Sequence, residues 1–95
     1  MLIVREVFIA KPGHAGKLAM LMKDMHSGVG SNIRVMTDLT GVFNKVVVES
    51  EFEHLADFEK SWMDYMAASG AKLEKLRAEY QGMYAQGKRE IYRVV

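Results

Sequence analysis

Apolar and polar positions along the chain repeat with two periods, two and about three and a half, and the switches between them mark the elements. Leu2 to Ile9 is rich in Val, Ile and Phe and reads as a strand. Lys11-Pro12-Gly13 ends it, because proline removes a backbone donor and glycine frees the chain. From His14 to His26 the apolar positions are Ala15, Leu18, Met22 and Met25, with Leu21 beside them, which is one face of a helix. Ser27 to Ser31 is a Gly- and Ser-rich loop. Asn32 to Thr37 predicts a second strand, Asp38-Leu39-Thr40-Gly41 a turn, and Val42 to Glu49 a third strand paired back on the second as a hairpin. A second helix starts near His54 or Leu55, with a stripe of Leu55, Phe58, Trp62 and Met66 and with Tyr65 on its flank. Gly70 weakens that helix, and Leu73, Leu76 and Tyr80 resume the stripe after it. Arg89 to Val94 is the last strand.

The order strand, helix, strand, strand, helix, strand is the βαββαβ order of the ferredoxin-like, α+β arrangement. Its four-stranded antiparallel sheet carries the helices on one face. Residues 1–95 hold no linker, repeat or low-complexity run, so one domain is expected. Leu2-Ile3-Val4 and Val46-Val47-Val48 do not alternate as a strand with one wet face should. Both faces of the sheet are therefore expected to be covered, one by the helices and the other by a second copy in a homodimer.

Composition excludes several function classes. The chain has no cysteine, which rules out disulfides, thiolate metal sites and cysteine nucleophiles. Thirteen basic residues against twelve acidic ones leave a net charge of +1, without the basic excess of a nucleic-acid or membrane-surface binder. No apolar run approaches the ~20 residues of a membrane span, and the start carries Arg5 and Glu6 where a signal peptide would be unbroken. A cytoplasmic location is the expectation. His14, His26 and His54 form no paired spacing, so no metal or other cofactor is expected, and capping or surface roles fit all three. Gly28-Val29-Gly30 lacks the third glycine and following helix of a dinucleotide loop. The RNA recognition motif shares the fold, but Phe8 and Phe43 are the only rings on the two central strands and no basic patch accompanies them.

The segment from Arg5 through Lys11-Pro12-Gly13 to Leu18 resembles the NIPSNAP-type members of the dimeric α/β-barrel superfamily. Phe52 to Met66, with Phe58 and Trp62 in mid-helix, and the closing Arg89-Glu90-Ile91-Tyr92 strand resemble the same superfamily. The resemblance implies a homodimer whose sheets close into a barrel, with a pocket between sheet and helices. The superfamily includes antibiotic-biosynthesis-type monooxygenases, small isomerases and haem-degrading enzymes. The quinone-forming members have an asparagine one turn before the helix tryptophan, where this chain has Phe58. The haem-degrading members have a histidine further along the second helix, where this chain has Lys72, Leu73 and Glu74, so haem is not expected.

Two functions stay open. One is binding of a small apolar or aromatic metabolite, extending to cofactor-independent oxygenation. The other is a non-catalytic interaction or accessory protein with a filled core. If a pocket exists, its expected lining is Trp62, Tyr65 and Met66 from the second helix and Met22 from the first. Asn44 and Tyr92 would supply polar contacts from the sheet. Asn44 is placed there by alternation with Val46 and Val48. Trp62 at helical spacing is expected to be largely buried, and no base is evident among these residues.

Overall fold

The first strand, β1 (Leu2–Ala10), places Leu2, Val4, Glu6, Phe8 and Ala10 on one face, and Ile3, Arg5, Val7 and Ile9 on the other. It lies inside a four-stranded sheet, described by a computed structural model covering Met1–Val95. The other strands are β2 (Ser31–Thr37), β3 (Lys45–Phe52) and β4 (Tyr84–Arg93), in the spatial order β2-β3-β1-β4. All pairings are antiparallel. Val7 lies opposite Val47 on β3 and Lys88 on β4, and Glu6 opposite Val48 and Arg89. Three helices accompany the sheet: α1 (Ala15–Met25), α2 (Leu55–Ala67) and α3 (Ala71–Gln81). The α+β ferredoxin-like architecture expected from the pattern is thus present.

One face of the sheet makes the core. Phe8, Ala10, Val46 and Val48 meet Leu18 and Met22 of α1 and Met83 ahead of β4. Leu18 and Met22 are almost wholly buried, which places α1 flat against the strands. Neither α2 nor α3 contains a buried residue. Their apolar stripes lean over the sheet instead of sealing onto it, and that gap positions the site.

Four local expectations are corrected. The third strand starts at Lys45 rather than Val42, because Gly41 (φ 103°) and Asn44 (φ 63°) adopt left-handed backbone that a strand cannot hold. The Asp38 carboxylate accepts the Lys45 N–H at 2.9 Å and closes the turn. The strand then runs on to Phe52. The second helix is two helices: Ala68 is extended, and Gly70, at φ 131°, takes a conformation open essentially to glycine alone. Arg77 of α3 donates to the Tyr65 carbonyl near the end of α2 and so clips the two together. The last strand starts at Tyr84, five residues early, so Gly87 lies inside it. Gly87 faces Phe8, and a Cβ there would stand 3.2 Å from the Phe8 ring.

The outer sheet face is mixed. Val7 and Val47 sit at its centre, already covered by their neighbours, with Ile3, Ile9 and Met36 partly exposed around them. Across them runs an ionic band in which Glu49 holds Arg34 at 2.9 Å and Arg5 at 3.2 Å. No helix is long and apolar enough to cross a membrane.

Candidate functional site

Between α2 and the sheet lies a cavity of about 350 Å³. Its walls come from every layer. Phe8, Tyr84 and Gly87 contribute from the sheet, Met22 and Met25 from α1, Phe58, Trp62 and Tyr65 from α2, and Tyr80 from α3. The rings are mutually ordered. Phe8 and Tyr84 are 4.9 Å apart at their centroids, Tyr80 stacks on Tyr84 at 6.0 Å, and Trp62 stacks on Tyr65 at 5.6 Å. Gly87 makes room for this packing, since a side chain there would press on both Phe8 and Tyr84. Burial and the neighbouring Tyr65 push the Tyr80 phenol up, so it stays neutral.

The floor is polar and charged. Glu6 and Arg89 are cross-strand partners on the helix-facing side of the sheet, with Arg89 Nη2 3.7 Å from Glu6 Oε2. The other carboxylate oxygen of Glu6 lies 3.4 Å from His26 Nε2. His26 follows the last turn of α1, and its Nδ1 sits 2.9 Å from the Met22 carbonyl. The imidazole thus stands between two acceptors, a carbonyl and a carboxylate. With a proton on each nitrogen it satisfies both, so the geometry favours the imidazolium. Burial on its own would lower the His26 pKa. The Glu6 carboxylate and the Met22 carbonyl overcome that, and the value lies above its ordinary 6.5. Burial likewise works to raise Glu6, but His26 and then Arg89 hold it below its ordinary 4.5. Ser50, the one buried polar residue, completes the floor.

Arg89 joins floor and wall. Its guanidinium lies 4.2 Å from the Trp62 ring centroid and 5.4 Å from that of Phe58, over the faces of α2 aromatics. Phe58 in turn meets Phe52 edge-on at 5.6 Å.

Of the six residues expected to line a pocket, Trp62, Tyr65 and Met22 stand in this wall. Met66 does not: it is one turn beyond Trp62 and is 60% exposed. Asn44 is a turn residue, its carbonyl accepting the Ala10 N–H at 2.7 Å, and it borders a separate surface depression with Asp38 and Phe43. Tyr92 pairs with Ile3 and so points to the outer face, where its hydroxyl donates to Glu90 at 2.6 Å. Trp62 itself is 38% exposed, a wall residue at the cavity edge and not a core residue.

The ionic floor was not expected from the sequence. Its signal was there in Glu6, a charge on the same strand face as Leu2, Val4, Phe8 and Ala10. A carboxylate on an apolar face must find a partner.

Comparisons with known proteins bear on the fold. No protein-family model and no curated protein matches the chain. Solved structures do. An uncharacterized NIPSNAP-like domain protein from Burkholderia xenovorans superposes with a TM-score of 0.84 at 15% identity, over 99% of this chain and 84% of its own. A NIPSNAP family protein with unknown function from Agrobacterium tumefaciens gives 0.81 at 15% identity, over 97% and 86%. An antibiotic biosynthesis monooxygenase gives 0.70 at 14% identity, over 100% and 99%. These structures share the ferredoxin-like α+β fold of this chain.

Proposed function

We propose that this protein binds a small planar aromatic metabolite in the cavity beneath Trp62. One observation carries the reading: about 350 Å³ of space walled by Phe8, Phe58, Trp62, Tyr65, Tyr80 and Tyr84. Aromatic walls of this kind give a flat ligand stacking partners on several sides, and a few fixed polar groups then orient it. A filled core, the mark of a purely structural or accessory role, would place side chains where this space is. Binding is also a better reading than quinone-forming oxygenation. The position one turn before Trp62, where the resemblance implies an asparagine, is Phe58, and it is spent on packing against Phe52.

Calorimetric titration with 2-naphthol tests the proposal. One site per chain is expected. Trp62→Ala should weaken it at least about tenfold by removing a stacking wall. An unsaturable or absent heat, or equal binding by Trp62→Ala, would contradict the reading.

A further inference from the structure

The floor of the cavity carries more charge than it neutralises. Glu6 brings one negative charge, and Arg89 and His26 one positive charge each when the imidazole holds both protons. Glu6 and His26 are mostly covered, with side chains 19% and 16% exposed, and Arg89 reaches over them from the rim at 31%, so a complementary charge is attracted there. The donors are also under-used. At 3.7 Å the Arg89–Glu6 contact is longer than a hydrogen bond, and Arg89 donates to no other side chain within the cavity. Its guanidinium is held instead by the faces of Trp62 and Phe58, which fix its plane and leave its edge free.

We propose that the ligand is an aromatic monoanion, a carboxylate or phenolate whose oxygen is held by Arg89 and His26 while its ring lies against Trp62. This rests on the binding reading above and names the class of ligand within it. An anion brings the floor to neutrality, a cation meets two positive groups, and a neutral molecule leaves the excess uncompensated. Glu6 then has a definite part. It holds His26 protonated and competes with the ligand for both cations. The charged groups facing His26 are Glu6 from β1 and Arg89 from β4; the other polar residues lining the cavity are Ser50 from β3, Ser61 and Tyr65 from α2, Tyr80 from α3 and Tyr84 from β4, and Lys88, which also borders it, has its ammonium 3.9 Å from Glu90. Affinity for an anion should therefore fall as pH rises and His26 loses its proton.

The test compares 2-naphthoate with 2-naphthamide, one ring system with and without the charge, by calorimetry at pH 5.5 and 8.5. At pH 5.5 the carboxylate should bind at least about tenfold tighter, as expected for a charge-assisted pair in a partly dry site. The preference should shrink at pH 8.5. Arg89→Met should abolish it while leaving the amide's affinity within about twofold, because the ring walls remain. His26→Gln should flatten the pH dependence. Glu6→Gln removes the group that holds His26 protonated, so the pH at which the preference declines should move down. Equal affinity for the two compounds, or a preference that Arg89→Met leaves intact, overturns the monoanion proposal and leaves aromatic binding standing. Binding of neither overturns both.

Discussion

Glu6 and His26 answer to acid and base in opposite senses, and the sign of each is set by the other. The imidazolium gains from Glu6, so its contribution to stability is full below its ordinary pKa of 6.5 and is lost as pH rises through the raised folded value. The carboxylate gains from His26 and Arg89, so its contribution is full above 4.5 and is lost as pH falls through the lowered folded value. Urea unfolding should therefore show the pair's stabilisation whole between pH 4.5 and 6.5 and declining on either side. In His26→Gln the alkaline decline should be flatter; an unchanged slope would mean that the ion pair does not form. Trp62 is the other residue whose environment decides its energetics. With 38% of it exposed, Trp62→Ala should cost about 1–2 kcal/mol, against ~3–5 for a fully buried ring. Chemical denaturation measures this directly, and a cost in the upper range would return Trp62 to the core. At this scale the sequence was only half legible. Trp62, Tyr65 and Met22 could be read from helical spacing. His26 could not, because its partner lies twenty residues away on a strand, and only the pairing of β1 with β4 brings Arg89 to the same place.

Elements were more legible where their signal is local. The stripe of α1, Leu18 to Met22, is regular and is buried as the spacing demands. The start of β4 was hidden because Tyr84 to Gly87 contains glycine and polar residues, and only a neighbouring strand can enlist them; β1 does so from Phe8 to Ala10. The turn at Asn44 was hidden for another reason: alternation through Val42, Asn44, Val46 and Val48 mimics a strand, while the backbone at Gly41 and Asn44 is left-handed. Gly30 shows how tightly the loop after α1 is tied to the sheet. Its φ is +71°, and a Cβ would come within 2.9 Å of the Glu51 carbonyl oxygen and 3.0 Å of the Phe52 ring. Gly30→Ala should lower stability by about 1–3 kcal/mol through backbone strain and the clash, measurable by thermal or urea unfolding. A neutral result would mean that the loop relaxes freely away from β3.

For the whole molecule, the outer face of the sheet is proposed as the contact between two copies. Ile3, Val7, Ile9, Met36 and Val47 form its apolar strip, and the Arg5, Arg34 and Glu49 band beside them has both charge signs, as a self-complementary surface requires. Light scattering should give twice the 10.8 kDa chain mass at micromolar concentration, and Val47→Asp should halve it; a monomeric parent protein would refute the contact. The non-alternating valines that first suggested it are explained in part by one chain, because its own sheet neighbours already cover Val47 to 9% exposure. The cavity lies on the other, helix-facing side of the sheet, over Glu6, Phe8 and Arg89.

The central claim is that the space beneath Trp62 receives an aromatic ligand, and Trp62 is the only tryptophan. It therefore gives a single indole N–H resonance in a proton–nitrogen correlation spectrum. On titration with 2-naphthoate that resonance should shift saturably, together with the backbone signals of Met22, His26, Gly87 and Arg89. An indole signal that stays still while saturable shifts gather elsewhere, or no saturable shift at all, would contradict the account.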